Sequence, residues 1–343
     1  MSLEHHSAIA SISLGWHPLH TLERKLHAAS SAGYDGIEIF YSDLEKFAQI
    51  RKISVIDAAN LARDLCAKSN LSIISLCSFD NFEGMPTPLA DRLRVADHWV
   101  SVARALGAPI VQVPATYDPA SRDVPEDVMI KELQALADSG VGNPVDGTAT
   151  ITFAYEFMGW SVHVATWQDA LRYSRQVARP NFGLCFDTYH ILSRLWGDCT
   201  RADGRVPGGD EALSTSIQGI LRDMRPEDIV FVQLSDVEKM EPPLDPKKLQ
   251  QGQHYSAAWC SWGRLFPLEQ ELGAYMPMEQ LCRVLLHDLG WSGWVSMETF
   301  HRHMADEDVG PEVLAKRGMQ SWAKLCQLTG IEHSQQSKPT LTS

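Results

Sequence analysis

"GLCFDTYH", residues 183–190, runs apolar from Gly183 to Phe186 and then meets Asp187 and His190 with no turn residue between them. A continuous apolar run of this kind reads as a strand buried on both faces. Its last position is an odd place for an acid, unless the carboxylate caps a helix, pairs with a cation or holds an ion. The same design recurs along the chain. "TITFAYE" (150–156) ends on Glu156, "DIVFVQL" (228–234) carries Gln233 beside its end, and "GWVSME" (293–298) ends on Glu298.

Four more β-branched runs precede these: "AIASISL" (8–14), "GIEIF" (36–40), "LSIISL" (71–76) and "PIVQV" (109–113). Each of the eight is followed by a stretch with helical spacing, several of which close on a glycine suited to a helix C-cap, as at Gly33, Gly107 and Gly330. Eight βα units of similar size predict a (β/α)8 TIM barrel in preference to a doubly wound sheet. No G-x-G-x-x-G or G-x-x-x-x-G-K-[ST] follows a strand, which removes the dinucleotide and P-loop readings. One domain over 1–330 is expected, with 331–343 as a polar, disordered tail. Two connections are unusually long: the glycine-rich stretch 197–212 after strand six, and 237–275 after strand seven. Loops that follow barrel strands lie at the mouth where barrel active sites form, so both are expected to cover a site.

Composition limits the partners. The chain has 343 residues, 44% of them hydrophobic, and a net charge of -13. That balance repels nucleic acid and anionic membrane surfaces, so a small-molecule substrate is expected, with no nucleic acid and no membrane partner. The seven cysteines are scattered and never in C-x-x-C spacing. With no signal-peptide pattern in "MSLEHHSAIA" and no apolar run near the roughly 18 residues of a membrane span, a reduced, cytoplasmic location is expected.

Side chains at the C-terminal ends of consecutive barrel strands converge on one pocket. Glu156, Asp187 and Glu298 would repel one another there without compensation, and a divalent cation resolves the repulsion. With Gln233 as a neutral fourth oxygen, the set favours Mg²⁺ or Mn²⁺, with Co²⁺ also compatible, over a thiolate-rich zinc site. Taken singly, each acid could equally be a helix N-cap or an arginine partner.

The same stretches carry a resemblance. From about residue 7 to 330 the chain resembles the xylose-isomerase-like barrel superfamily of sugar phosphate isomerases and epimerases, and more narrowly the fungal 3-dehydroshikimate dehydratases of quinate catabolism. The narrower likeness rests on "SISLG" (11–15), "GYDGIEIF" (33–40), "VQVPA" (111–115), "YEFMGWS" (155–161) and "RPNFGLCFDTYHI" (179–191). It continues through "FVQLSDVEK" (231–239), "RLF" (264–266), "GAYMP" (273–277), "GWVSMETFHRHM" (293–304) and "RGMQSWAKL" (317–325).

The resemblance implies a divalent metal on Glu156, Asp187, Gln233 and Glu298, and the conversion of 3-dehydroshikimate to protocatechuate and water. On that reading, His190 is the expected proton acceptor and Glu38 the alternative, each with a plain structural role as its rival. Arg264 is expected to bind the substrate carboxylate. Trp160, Trp259 and Trp262 are candidates for the pocket wall, and Gln112 and Phe79 for pocket contacts. Some metal-dependent dehydratases of this reaction carry a histidine two residues after the first metal-binding Glu; here that position is Met158. The rival functions are a sugar epimerase or isomerase, which needs a second base; an endonuclease with several zinc ions, which needs a basic groove; and a barrel without catalysis.

Overall fold

The computed structural model describes residues 3–250 and 252–331. Eight strands form the barrel: β1 (His5–Ala10), β2 (Gly36–Phe40), β3 (Ser72–Cys77), β4 (Ile110–Pro114), β5 (Thr152–Glu156), β6 (Phe182–Asp187), β7 (Ile229–Leu234) and β8 (Gly293–Met297). All neighbours are parallel, and the sheet closes in the order β1-β8-β7-β6-β5-β4-β3-β2. The expected (β/α)8 barrel is therefore the observed fold, with helices wrapped around it. Among the described residues no helix is long and apolar enough to cross a membrane.

Strand alternation builds the barrel interior in layers. Ala8, Ile110, Ala154, Cys185 and Phe231 pack together as an apolar plug. Two residues further along four of those strands stand Gln112, Glu156, Asp187 and Gln233, so the polar layer sits directly on the plug. The residues that alternate with these, such as Phe153, Tyr155, Leu184 and Val232, face outward into the much larger core between strands and helices.

The first strand begins and ends earlier than its apolar run predicts. Ser11–Leu14 is a 3-10 turn, while His5, His6 and Ser7 belong to the strand. Buried hydrogen bonds explain this: His5 Nε2 lies 2.7 Å from Leu286 O, and Ser7 donates through N and Oγ to Asp35 at 2.9 and 3.0 Å. In the turn, Ser11 Oγ donates to Asp43 at 2.8 Å. Polar residues paired in this way bury at little cost, which hydrophobic periodicity does not register. Ile331 packs into the core; 332–343, the rest of the expected tail, lies outside the described residues.

The connection after β7 is an organised insertion. Asp236–Val237 and Arg264–Leu265 pair as a short antiparallel ribbon, with the helix Tyr255–Gly263 between them. Asp236 accepts the backbone N–H groups of Val237, Leu268, Tyr275 and Met276 at 2.8 to 3.2 Å, which fastens both ends of the insertion to one carboxylate. The loop after the helix Thr188–Leu195 packs against this insertion, with Leu244 N–H donating to Cys199 O and Tyr275 Oη donating to Gly204 O.

Candidate active site

At the C-terminal end of the barrel, β2, β4, β5, β6 and β7 and the residue after β8 bring Glu38, Gln112, Glu156, Asp187, Gln233 and Glu298 into one buried cluster. Glu298 lies one residue past β8, but its N–H still donates to Leu234 O at 3.1 Å, so the ladder positions it as a strand end would. Gln112 Nε2 donates to Glu156 Oε2. Gln233 Nε2 donates to both oxygens of Glu38 at 3.2 Å and to Glu298 Oε1 at 3.1 Å, and Ser75 Oγ donates to Glu38 Oε2 at 2.9 Å. Glu38 stands mid-strand, below the mouth, and not at a strand end.

Arg264 enters this cluster from the insertion. Its Nη2 donates to Asp187 Oδ2 at 2.6 Å, its Nη1 to Glu298 Oε2 at 3.1 Å and its Nε to Ser235 Oγ at 2.8 Å. Tyr189 and Phe300 cover its faces at 4.9 and 5.3 Å. Arg264 reaches the cavity wall, where a substrate contact was expected of it, but the residue is 1% exposed and its guanidinium already joins two site carboxylates. A long connection conceals such partners, because nothing local in the sequence shows where its end docks.

Electrostatically the cluster is short of positive charge. Burial pushes the Glu156 and Glu298 carboxyls well above the usual range, with neighbouring acids adding to the rise, and burial also raises Glu38. Four carboxylates, if all ionised, face the single guanidinium and leave three negative charges uncompensated. Water cannot screen them at this depth.

His190 reaches the site from the first turn of the helix Thr188–Leu195, whose N-cap is Asp187 itself. Its Nδ1 accepts the backbone N–H of Gly159 at 3.1 Å. Because an amide can only donate, the neutral ring carries its proton on Nε2. That nitrogen stands 3.2 Å from Glu156 Oε1 and 3.7 Å from Asp187 Oδ2. Burial pushes the imidazole down to about 4, against the pull of Asp187, so the ring is neutral at pH 7. The Nε2–H therefore lies near both acids without closing a hydrogen bond to Glu156 Oε1, and the one lone pair, on Nδ1, is turned to Gly159.

A cavity of about 300 Å³ opens above the cluster. Gln112, Glu156, His190, Arg264 and Glu298 reach its wall, as does Trp160, whose ring meets that of His190 edge-on at 5.0 Å. The insertion contributes Gln253, Ala257, Cys260 and Ser261, so the expected cover is built by the connection after β7. Among the described residues, 197–212 adds none to the wall. Trp259 packs beneath, against Tyr189, and Trp262 is 60% exposed.

Phe79 departs from expectation: it is buried against Phe82 and Trp99, with ring centroids at 5.8 and 5.1 Å, and does not line the cavity. Its neighbours Ser78 and Asp80 do, together with Tyr117. Sequence reading passed over all three. The one cue was an acid three residues past a barrel strand, in "CSFDN" (77–81), with no alternation there to say which way it points.

The donors fit a hard divalent cation. Glu156 Oε1 is buried and has no hydrogen-bond donor, and it gathers with an Asp187 oxygen and a His190 nitrogen within 4.8 Å. The Nε2–H of His190 excludes that atom as a ligand in this tautomer, which leaves the oxygens. A dication would reduce three uncompensated charges to one. Gln233 presents its NH₂ to the acids and its Oε1 to Cys185 Sγ at 3.0 Å, so a ligating role requires rotation of the carboxamide.

Residues 26–325 match the model of the xylose isomerase-like TIM barrel family. The chain is 36% identical over 340 residues to a 3-dehydroshikimate dehydratase of Neurospora crassa, with 93% of each chain covered. It is 27% identical over 295 residues to a 3-dehydroshikimate dehydratase of Pseudomonas putida, spanning 86% of this chain and 38% of that one. Among solved structures, a xylose isomerase-like TIM barrel/4-hydroxyphenylpyruvate dioxygenase fusion protein superposes with a TM-score of 0.72 at 25% identity, over 95% of this chain and 43% of that chain. From its closed barrel, its acidic strand ends and this coverage, the chain belongs to the xylose isomerase-like TIM barrel family.

Proposed function

We propose that this chain is a metal-dependent 3-dehydroshikimate dehydratase, a hydro-lyase that forms protocatechuate with loss of one water. The observation that carries the reading is the near-full-length likeness to the Neurospora crassa dehydratase, which runs through the insertion as well as the barrel. The cavity is of the size that takes one small ring, and its floor is rich in buried carboxylates. The substrate is the only partner the reading requires, and seven buried free thiols fit the reducing cytosol.

Glu156, Asp187, Gln233 and Glu298 would hold the cation, Mg²⁺ or Mn²⁺. When bound, it supplies Lewis-acid stabilisation of the charge that develops on the substrate's ketone oxygen. The chain's own residues do the remainder. Gln112 fixes Glu156 through Oε2, while Arg264 holds Asp187 and Glu298 apart and keeps positive charge beside an anionic substrate. The Nε2–H of His190, 3.2 Å from Glu156 Oε1 and 3.7 Å from Asp187 Oδ2, offers a donor toward which these acids can turn. Phe40, Phe300 and Trp160 wall the ring and exclude water.

Incubation with 3-dehydroshikimate and Mg²⁺ or Mn²⁺ should produce protocatechuate absorbance that chelation abolishes and added cation restores. Absence of product with every divalent cation would sink the reading, and interconversion of sugars instead would favour an epimerase.

A further inference from the structure

We propose that Gln112 determines specificity at this site: its Oε1 accepts a hydrogen bond from the substrate hydroxyl on the carbon next to the ketone, the one that stays on the ring. The assignment rests on the dehydratase reading and adds a substrate contact to it.

Among the described residues, two buried side-chain oxygens that lack a hydrogen-bond donor belong to the cavity wall: Glu156 Oε1 and Gln112 Oε1. The first gathers with the Asp187 and His190 atoms where a cation fits. The second has no partner of that kind. Buried acceptors are nearly always paired, so one left open in the wall of a cavity is a place for a ligand's donor. The carboxamide cannot turn over to close the gap. Its Nε2 donates to Glu156 Oε2, and because an ionised carboxylate only accepts, the NH₂ stays on that side and the carbonyl oxygen takes the other.

The residue is held from both sides as well. Gln112 is buried, stands in register with Ala154 of β5, and its backbone carbonyl accepts the Phe79 N–H at 3.0 Å. The Phe79 ring is in turn packed between Phe82 and Trp99. An acceptor carried on a barrel strand and braced in this way keeps its aim through turnover.

Chemistry selects the hydroxyl. Gln112 grips one oxygen of the carboxylate whose other oxygen is free for the cation, so a ketone held there brings its neighbouring carbons toward the amide. One of those carbons is a ring C–H without a polar donor; the other carries a hydroxyl. The departing hydroxyl, one carbon further on, must gain a proton and calls for a donor, which an amide oxygen is not. The retained hydroxyl keeps its proton and ends as a phenol, a stronger donor, so its bond to Oε1 strengthens as the ring becomes aromatic. A ring that lacks this hydroxyl leaves a buried oxygen unpaired, and a site built to hydrogen-bond discriminates against it on that account.

The test compares protocatechuate, which keeps the hydroxyl beside the oxygen derived from the ketone, with 3-hydroxybenzoate, which lacks it. Both are titrated calorimetrically into Mn²⁺-loaded wild type, Gln112→Met and Gln112→Glu, and the thermal midpoint of each protein is measured. Wild type should favour protocatechuate, and Gln112→Met should lose roughly 5- to 100-fold of that preference. Gln112→Glu restores an acceptor and should keep the preference within about threefold, whatever the added carboxyl does to Mn²⁺ affinity. A role confined to fixing Glu156 would weaken both ligands alike, so an unchanged preference in Gln112→Met overturns the assignment. Should Gln112→Met not fold, wild type alone decides: 4-fluoro-3-hydroxybenzoate offers Oε1 a fluorine in place of a donor and should bind at least about tenfold more weakly than protocatechuate, equal binding overturning the assignment. If wild type neither forms protocatechuate from 3-dehydroshikimate nor binds it, the dehydratase reading fails first; if it does both and the preference survives Gln112→Met, the Gln112 contact alone is refuted.

Discussion

His190 Nδ1 accepts the backbone N–H of Gly159, and this one bond settles the imidazole's proton on Nε2, 3.2 Å from Glu156. In this tautomer the ring presents an N–H, not a lone pair, toward the two acids. His190→Gln, which can present an amide N–H toward Glu156, should therefore keep kcat within about tenfold of wild type, while His190→Leu should weaken Mn²⁺ binding by roughly 10- to 100-fold. Loss of about 10³-fold in kcat by His190→Gln at unchanged metal affinity would instead make the ring a proton acceptor.

A second histidine reports on stability. Burial pushes His301 down to about 4, with Arg302 adding to the fall. Between about pH 4 and pH 6.5 the unfolded chain then binds more protons there than the folded chain. Its contribution is fully present above pH 6.5 and is lost as pH drops toward 4. Allowing for its partial solvation, this amounts to about 2 kcal/mol. Urea unfolding at pH 7 and pH 5 should show a steeper loss for wild type than for His301→Asn.

The strand ends were readable because two features coincide in them: a two-residue alternation that fixes which face a side chain takes, and an acid or amide where an apolar run stops. Glu156, Asp187, Gln233 and Glu298 follow from that pattern and do meet in one cluster. Phe79 and Asp80 were not readable, because alternation breaks in β3. A register shift against β2 turns both Ile74 and Ser75 inward, and beyond Cys77 the parity changes again, so Ser78 and Asp80 take the cavity. Arg264 lay in the same blind region: its partners are set by a ribbon with Asp236–Val237 that no local spacing encodes.

Arg264 makes the cluster foldable. Removing a buried cation leaves its partners as uncompensated charges, at a typical cost of about 3–5 kcal/mol. Arg264→Met should therefore unfold at markedly lower temperature, since Asp187 and Glu298 lose their shared donor. A cation bound to the native state returns about 2.7 kcal/mol at a hundredfold excess over Kd. Saturating Mn²⁺ should thus raise the melting temperature of Arg264→Met more than that of wild type. An equal rise in both proteins would mean that the guanidinium and the cation do not compensate the same acids.

Gln233 offers the sharpest probe of the cluster's charge. Its NH₂ is the donor that joins Glu38 to Glu298, so Gln233→Glu removes two favourable contacts and adds a fifth carboxylate at the same depth. Without divalent cation the variant should be less stable by about 1–3 kcal/mol, the cost of leaving buried acceptors without donors. With Mn²⁺ the order should change, because an anionic oxygen is a stronger ligand for a hard cation than an amide carbonyl. Thermal melts with chelator and with Mn²⁺ read both effects. If Gln233→Glu melts like wild type in chelator, the neighbouring acids are protonated, and the demand for a cation argued from their repulsion disappears.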